Sequence, residues 1–365
     1  VLVAFGLIVG PAAAAQPTLQ RMLNRIVASA EGPPGISVLI DRGTRTRFFR
    51  AGVADLSNRR LPQPTEHVRI ASVAKGFNAF IAAALAEGHK PKLSLRETLA
   101  ASIPGVLPSA ERVTLTQLLQ HTSGLPEYIR DPAFVEAFLA DPAAYLSPTQ
   151  LIGFVRAEPL EFTPGSRYQY SDTDNIAAAL MEEAATGRTY TSLLRSKVFR
   201  PLGMQDSSLP LTVKMPRPFM HGYEIEEGKK PDDVSELFNP AGAWASGGIV
   251  STPADLSRFI LAYVPTILRA SRGLATAFRP GSSSPPGPGK NSAGLGIFRY
   301  RSGCGDIYGH TGSFPGYRIF VAGSAGGGRS VVFAVNSQIV PGSGSQRVSA
   351  AIRRAQVRAV CLALR

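Results

Sequence analysis

The chain of 365 residues carries 39 lysines and arginines against 26 acidic residues, a formal net charge of +13, with 44% hydrophobic and 18% charged residues. That balance describes a core-forming globular protein and excludes a disordered chain, and the absence of a repeat at a period of about 20 to 50 residues excludes a solenoid. The excess of arginine comes without a zinc-finger, RNA-recognition or helix-turn-helix signature, so a solvated basic surface is expected and nucleic acid is not a partner.

Residues 1–15 form an apolar run interrupted at Pro11 and closed by four alanines. About 15 residues is short for a bilayer span. An apolar stretch with a small-residue exit reads as a signal peptide remnant, and a buried N-terminal helix is the other reading. On the first reading the mature chain, 16–365, is secreted or periplasmic, with no integral membrane segment and a monomeric state.

Residues 19–28 have the apolar spacing of a helix, Pro33-Pro34-Gly35 ends it, and 36–40 and 47–53 read as two strands around a turn at Gly43-Thr44. Residues 78–87 are Ala-rich and helical, and helical segments follow at 115–119, 132–139, 148–155 and 175–185. The stretch 279–292 is dense in Pro, Gly and Ser and reads as a surface loop. Beyond it, 317–322 and 330–336 are strand-like around the Gly-rich turn 323–328, and a basic amphipathic helix covers 346–364. Basic residues cluster at 42–50 and 347–365. Strands at both ends with helices between them predict an α+β fold of three layers. An antiparallel sheet is built from both chain ends, terminal helices cover one face, and a mainly helical insertion at about 72–240 covers the other. Cys304 and Cys361 are compatible with one disulfide in an oxidising compartment, or with two separate buried thiols.

Common hydrolase signatures are missing: there is no G-x-S-x-G elbow, no H-E-x-x-H and no P-loop, and the five histidines are far apart. That argues against an α/β-hydrolase, a zinc protease and an NTPase. What the sequence offers is Ser72-Val73-Ala74-Lys75. Three residues along a helix bring two side chains onto one face, where a lysine can reach a serine hydroxyl and help take its proton. Taken singly the pair is weak, because eight lysines among abundant serine give roughly 0.7 such pairs by chance.

Its neighbours strengthen it. Ile70-Ala71-Ser72-Val73-Ala74-Lys75 resembles the nucleophile segment of the serine β-lactamase and D-alanyl-D-alanine carboxypeptidase superfamily, in its class C β-lactamase-like form. Tyr170-Ser171-Asp172 falls where that family carries Tyr-x-Asn, and His310-Thr311-Gly312 resembles its third element, usually Lys-Thr-Gly. Four framing segments begin at Gln117, Phe162, Pro201 and Ser246, and the resemblance spans Pro34 to the C-terminus. It implies a β-lactamase/transpeptidase-like fold and an acyl-enzyme on Ser72. Tyr170, its phenol pKa depressed by nearby cations, would relay the proton, and Lys75 and His310 would supply the positive field. The backbone N–H groups of Ser72 and Ser313 would form the oxyanion hole beside Gly312, and the hydroxyls of Thr311 and Ser313 would hold the polar end of the substrate. The cysteine pair is similar to a bridge of such carboxypeptidases. No metal or organic cofactor is implied.

Asp172 departs from the family. An Asn offers a donor to a substrate carbonyl, whereas an ionised Asp only accepts and repels a substrate carboxylate. The departure moves weight from β-lactam or carboxypeptidase activity toward esterase-like hydrolysis. Some relatives hold a substrate carboxylate with an arginine upstream of the third element, and Arg299 or Arg301 stands in that stretch. Trp244 either lines the site or fills the core, and His121 reads as a structural corner. The expected function is hydrolysis of D-amino-acid peptides or amides, β-lactams or small esters, on a small-molecule or peptidoglycan-derived peptide substrate. A non-catalytic penicillin- or peptidoglycan-binding sensor of the same fold is the alternative, and a basic envelope-binding protein with a vestigial site is a third.

Overall fold

The apolar run Gly35–Asp41 (β1) is buried along almost its whole length, as a strand covered on both faces must be. Ile36, Val38 and Ile40 face one core and Leu39 the other, the two-residue alternation of a strand. In the computed structural model, which describes residues 18–87, 92–226, 228–272, 278–280, 287–338 and 345–365, β1 pairs antiparallel with Thr46–Gly52 (β2). Six strands from the other end of the chain complete the sheet: Arg279–Pro280 (β3), Lys290–Ala293 (β4), Phe298–Ser302 (β5), Gly305–Phe314 (β6), Tyr317–Gly323 (β7) and Ser330–Val335 (β8). Their order is β2-β1-β8-β7-β6-β5-β4-β3, so a strand from each end of the chain meets in the middle. Ile36 lies opposite Val335 there, and the buried Asn336 accepts from the Gly35 N–H at 2.6 Å and donates to the Val53 carbonyl at 3.1 Å.

Among the described residues, the α-helices of five or more residues are Leu19–Val27 (α1), Ala74–Ala86 (α2), Leu115–Leu119 (α3), Pro132–Ala140 (α4), Pro148–Gly153 (α5), Asp172–Thr186 (α6), Pro253–Ala270 (α7) and Ser345–Leu364 (α8). Local signals start them. Thr114 with Gln117 and Ser147 with Gln150 form reciprocal capping boxes, and Asp131 caps α4 ahead of Pro132. One face of the sheet packs on α1 and α8 through Leu23, Ile26, Phe320, Phe333 and Ile352; the other packs on α2, α6 and α7 through Phe77, Ile176, Phe259 and Val332. This is the three-layer mixed fold expected.

Two differences from the expectation are informative. Residues 279–280 and 290–292, read as loop, form the β3–β4 edge of the sheet, because edge strands tolerate the Pro and polar residues that inner strands exclude. Helix α7 runs 18 residues with Pro265 inside it, held by the apolar side Leu256, Phe259, Ile260, Tyr263 and Ile267. The apolar leader lies outside the described residues. Cys304, in the β5–β6 turn, is bonded to Cys361 on α8 across 57 residues, with Cα atoms 5.2 Å apart. Among the described residues no helix is long and apolar enough to cross a membrane.

Candidate active site

Ser72 sits at a strained corner. Val68–Arg69 pairs with Val250–Ser251, and the chain then turns through Ala71 at φ 49° into a tight turn that runs directly into α2. A non-glycine residue in the left-handed region costs roughly 1 kcal/mol, so packing must hold it there. The packing comes from β6. A Cβ built on Gly312 would lie 2.4 Å from the Ile70 carbonyl oxygen, 3.0 Å from the Ala71 Cβ and 3.2 Å from the Ser72 nitrogen. Only glycine lets this strand run against the serine, which is the physical reason for Gly312.

Lys75 follows one helical turn after Ser72 and is wholly buried. Its Nζ lies 3.1 Å from Ser72 Oγ, 2.9 Å from the carbonyl oxygen of Ser246, and in a short ion pair with Asp172 Oδ1. Three donors meet three acceptors, so the ammonium is fully satisfied. Asp172 opens α6, where the helix dipole favours an acid. Its backbone N–H donates to Glu127 Oε2 at 2.7 Å. Burial, and then the charge on Asp172, push the Glu127 carboxyl up to about 8, so it is mainly protonated at neutral pH.

Tyr170 lies over the same centre. Lys75 Nζ is 4.9 Å from its ring centroid, the His121 ring is 4.5 Å away, and the His310 ring is 6.1 Å away. Its electrostatics reverse the expectation. Burial and the Asp172 charge push the phenol well above its ordinary range, with the Ser72 hydroxyl acting the other way. His310 is neutral: burial and neighbouring Lys75 hold its imidazole down to about 3, and its Nδ1–H donates to the Thr311 carbonyl. The positive field therefore comes from Lys75 and not from His310. A spacing pattern names neighbours, but desolvation decides their charge.

The remaining expected residues divide. Ser313 is exposed at the site and accepts from Gln338 Nε2 at 3.2 Å. Thr311 shares the Ser313 face of β6 but is buried, with its hydroxyl beside Tyr300, and it does not line the cavity. Arg299 is also elsewhere. Its guanidinium lies over the Phe278 ring at 5.1 Å with Nε 4.0 Å from Asp306, and neither Arg299 nor Arg301 lines the cavity. Trp244 is core, packed on Tyr190 at 5.2 Å. His121 is a buried support, bonded to Asp174 at 2.9 Å.

A cavity of about 310 Å³ opens at Ser72. Asp172, Ser246 and Ser313 give its polar side, while Ile129, Phe134, Val135, Phe138, Leu139 and Phe314 give an apolar wall, most of it from α4. Glu127 and this wall are the parts that motif reading missed. Glu127 belongs to no motif, and the apolar residues of α4 show in the sequence only as a helical segment. Among the described residues no group of three or more His, Cys, Asp or Glu could hold a metal ion.

Comparison with known proteins places this geometry. The family model described as Beta-lactamase matches residues 20–355. A curated relative, the D-alanyl-D-alanine-carboxypeptidase/endopeptidase AmpH of Escherichia coli (strain K12), is 29% identical over 243 residues, covering 64% of this chain and 58% of that protein. The alignment thus spans well under two thirds of that relative. Two solved structures are similar over nearly their full length. The D-stereospecific amidohydrolase from Streptomyces sp. has a TM-score of 0.76 at 28% identity, covering 91% of this chain and 97% of its own. The D-amino acid amidase from Ochrobactrum anthropi SV3, complexed with L-phenylalanine amide, has 0.79 at 25%, covering 94% and 97%.

Proposed function

The chain belongs to the Beta-lactamase family, and from that premise we propose that it is a serine hydrolase forming an acyl-enzyme on Ser72, with amides and short peptides of D-amino acids as substrates. We read the preferred acyl donor as one with a free α-amino group and an apolar side chain. The observation that carries this reading is the make-up of the cavity at Ser72: Asp172 lines one side, with the Glu127 carboxyl bonded to its backbone N–H behind it, and the α4 wall lines the other. A substrate ammonium is attracted to such a pair, and its arrival favours ionised Glu127. No arginine among the described lining residues offers a carboxylate anchor, which weighs against a carboxypeptidase. The amidase and amidohydrolase likenesses support the same choice.

The chemistry follows from the proton positions. Lys75 Nζ bonds both Asp172 Oδ1 and Ser72 Oγ, so it can hand one proton to Asp172 and stand as an amine toward Ser72. The Ser72 hydroxyl gives its proton to that amine as the oxygen attacks the substrate carbonyl, and the developing oxyanion is held by the backbone N–H groups of Ser72 and Ser313. Tyr170, a neutral phenol, protonates the leaving nitrogen and is reprotonated from the Lys75–Asp172 pair. The net transfer is one proton from Ser72 to the leaving amine; water then attacks the acyl-enzyme by the reverse path. His310 and His121 hold Tyr170 in place without charge.

The disulfide supports an oxidising, exported setting. Intact-protein mass spectrometry with a fluorophosphonate tests the nucleophile, and an unlabelled Ser72 sinks it. A panel of D-phenylalaninamide, its N-acetyl derivative, nitrocefin, a D-Ala-D-Ala peptide and p-nitrophenyl butyrate tests the substrate. The free amine should exceed the N-acetyl amide by about 10²-fold in kcat/KM; equal turnover removes the amine from the reading. Acylation without turnover on every substrate would favour the sensor.

A further inference from the structure

The two basic clusters of the sequence are brought together by the fold, far from Ser72. Residues 19–52 and 345–365 hold eleven arginines and two acidic residues, so eleven less two leaves +9 of the chain's formal +13. These segments form α1, the β1–β2 edge and α8, the layer on the sheet face opposite the helices that carry Ser72 and Asp172. Arg21, Arg25, Arg347, Arg353 and Arg354 are exposed, and none of them is in an ion pair among the described residues. Arg47, on the same face of β2, lies over the Phe49 ring at 4.8 Å.

This layer also has a groove of about 330 Å³ between α1 and α8. Its floor is Met22, Ile26, Val348 and Ala351, and its rim carries Arg25, Arg347 and Arg354. A solvated basic surface made only to keep the protein soluble has no reason to collect guanidinium groups around an apolar floor. An anionic headgroup with acyl chains beneath it fits both parts: the phosphate takes the forked donors, and the first methylenes take the floor. A soluble polyanion satisfies only the rim.

We infer that the α1–α8 layer docks the protein on a bilayer of anionic phospholipid, with the catalytic cavity turned away from the lipid. Attraction of this kind comes from several basic groups acting within a Debye length of the surface, so it falls with added salt.

The test is co-sedimentation of the full chain with vesicles of phosphatidylcholine alone and of equimolar phosphatidylcholine and phosphatidylglycerol. Binding is expected to the second only. The combined variant Arg25→Gln, Arg347→Gln, Arg354→Gln should lose about 10²-fold in vesicle affinity, near five-fold for each arginine. Its turnover of a soluble substrate should be unchanged, which also reports that it is folded. Lys214→Gln, Lys229→Gln, Lys230→Gln, which removes the same charge from exposed positions outside this layer, should bind as the parent does. Met22→Gln should bind several-fold more weakly. Equal binding to both vesicles overturns the inference, as does equal loss in the two triple variants. Capture by inorganic polyphosphate without capture by vesicles overturns it in favour of a soluble polymer, and full binding by Met22→Gln removes the groove from it.

Discussion

The ammonium of Lys75 and the carboxylate of Asp172 form an ion pair closed to solvent on the lysine side and 15% exposed on the aspartate side. The lysine thus has no partner but protein, while the aspartate reaches the cavity and can answer to a substrate. Asp172→Asn removes the charge and keeps an acceptor oxygen, leaving a buried ammonium without its counter-ion. The fold should lose about 3 kcal/mol, measured as a shift in the urea midpoint at neutral pH. Turnover of D-phenylalaninamide should fall by about 10²-fold. A variant as active as the parent would remove Asp172 from the proton path.

Tyr170 is placed as a proton donor because burial and Asp172 keep its phenol protonated. Amide nitrogen needs that proton to leave, and p-nitrophenolate does not. Tyr170→Phe should therefore lower kcat on an amide by about 10²-fold or more and on p-nitrophenyl butyrate by less than about 10-fold. Equal losses on both substrates would return the tyrosine to the role of base.

Glu127 makes a pH prediction whose sign is fixed. Its folded pKa, about 8, stands above the ordinary carboxyl value of 4.5, so the native state holds a proton that the unfolded state has released. Its contribution to stability is complete below 4.5 and is lost as pH rises to 8. His121 and His310, held to about 3 against the ordinary imidazole value of 6.5, act oppositely, and their contribution is lost as pH falls through that interval. Stability should peak near the middle. Glu127→Gln should flatten the decline between 6.5 and 8 by up to about 1.4 kcal/mol per pH unit, the slope of a single proton. Asp174 and Glu182, also buried and pushed up, remain as background in the variant. Thermal melts across pH that superimpose for the two proteins would contradict it.

Gly312→Ala places a methyl group against the Ile70 carbonyl and the Ala71 side chain. Either β6 or the Ser72 corner must move, and a displacement of about 1 Å at reacting atoms costs about 10²-fold in rate. Labelling of Ser72 by a fluorophosphonate should slow by that factor while the far-UV spectrum stays native. Gly303→Ala, with open space around its Cβ, should label as the parent does.

Much of this was legible in the residues. Alternation in Ile36, Val38 and Ile40, the Pro-Gly stop before them and the strand-like stretch 330–336 were enough to draw a sheet from both ends. The three-residue step from Ser72 to Lys75 reports a contact because helix geometry is local. What lay beyond reach depends on distance and solvent. Phenol and imidazole carry the same letters whether wet or dry, so the charge states of Tyr170 and His310 could not be read. Glu127 matters only because the chain returns to it 45 residues later at Asp172. Arg299 occupies a stretch where an arginine was expected, but its side chain faces Phe278 and Asp306. Side-chain direction on a strand is set by pairing register, which the sequence does not print.

The meeting of β1 with β8 has a consequence in time. Gly35 is bonded to Asn336, 301 positions later, and Gly312 lies between those points, pressed on Ser72. As the chain is synthesised, the Ser72–Lys75 turn and its helices emerge long before the strand that holds the serine in position. A growing or truncated chain has its nucleophile but not the wall that supports it. On the proposed function, the serine is held for reaction only once the sheet closes, so a hydrolase built this way would stay silent while it is being made.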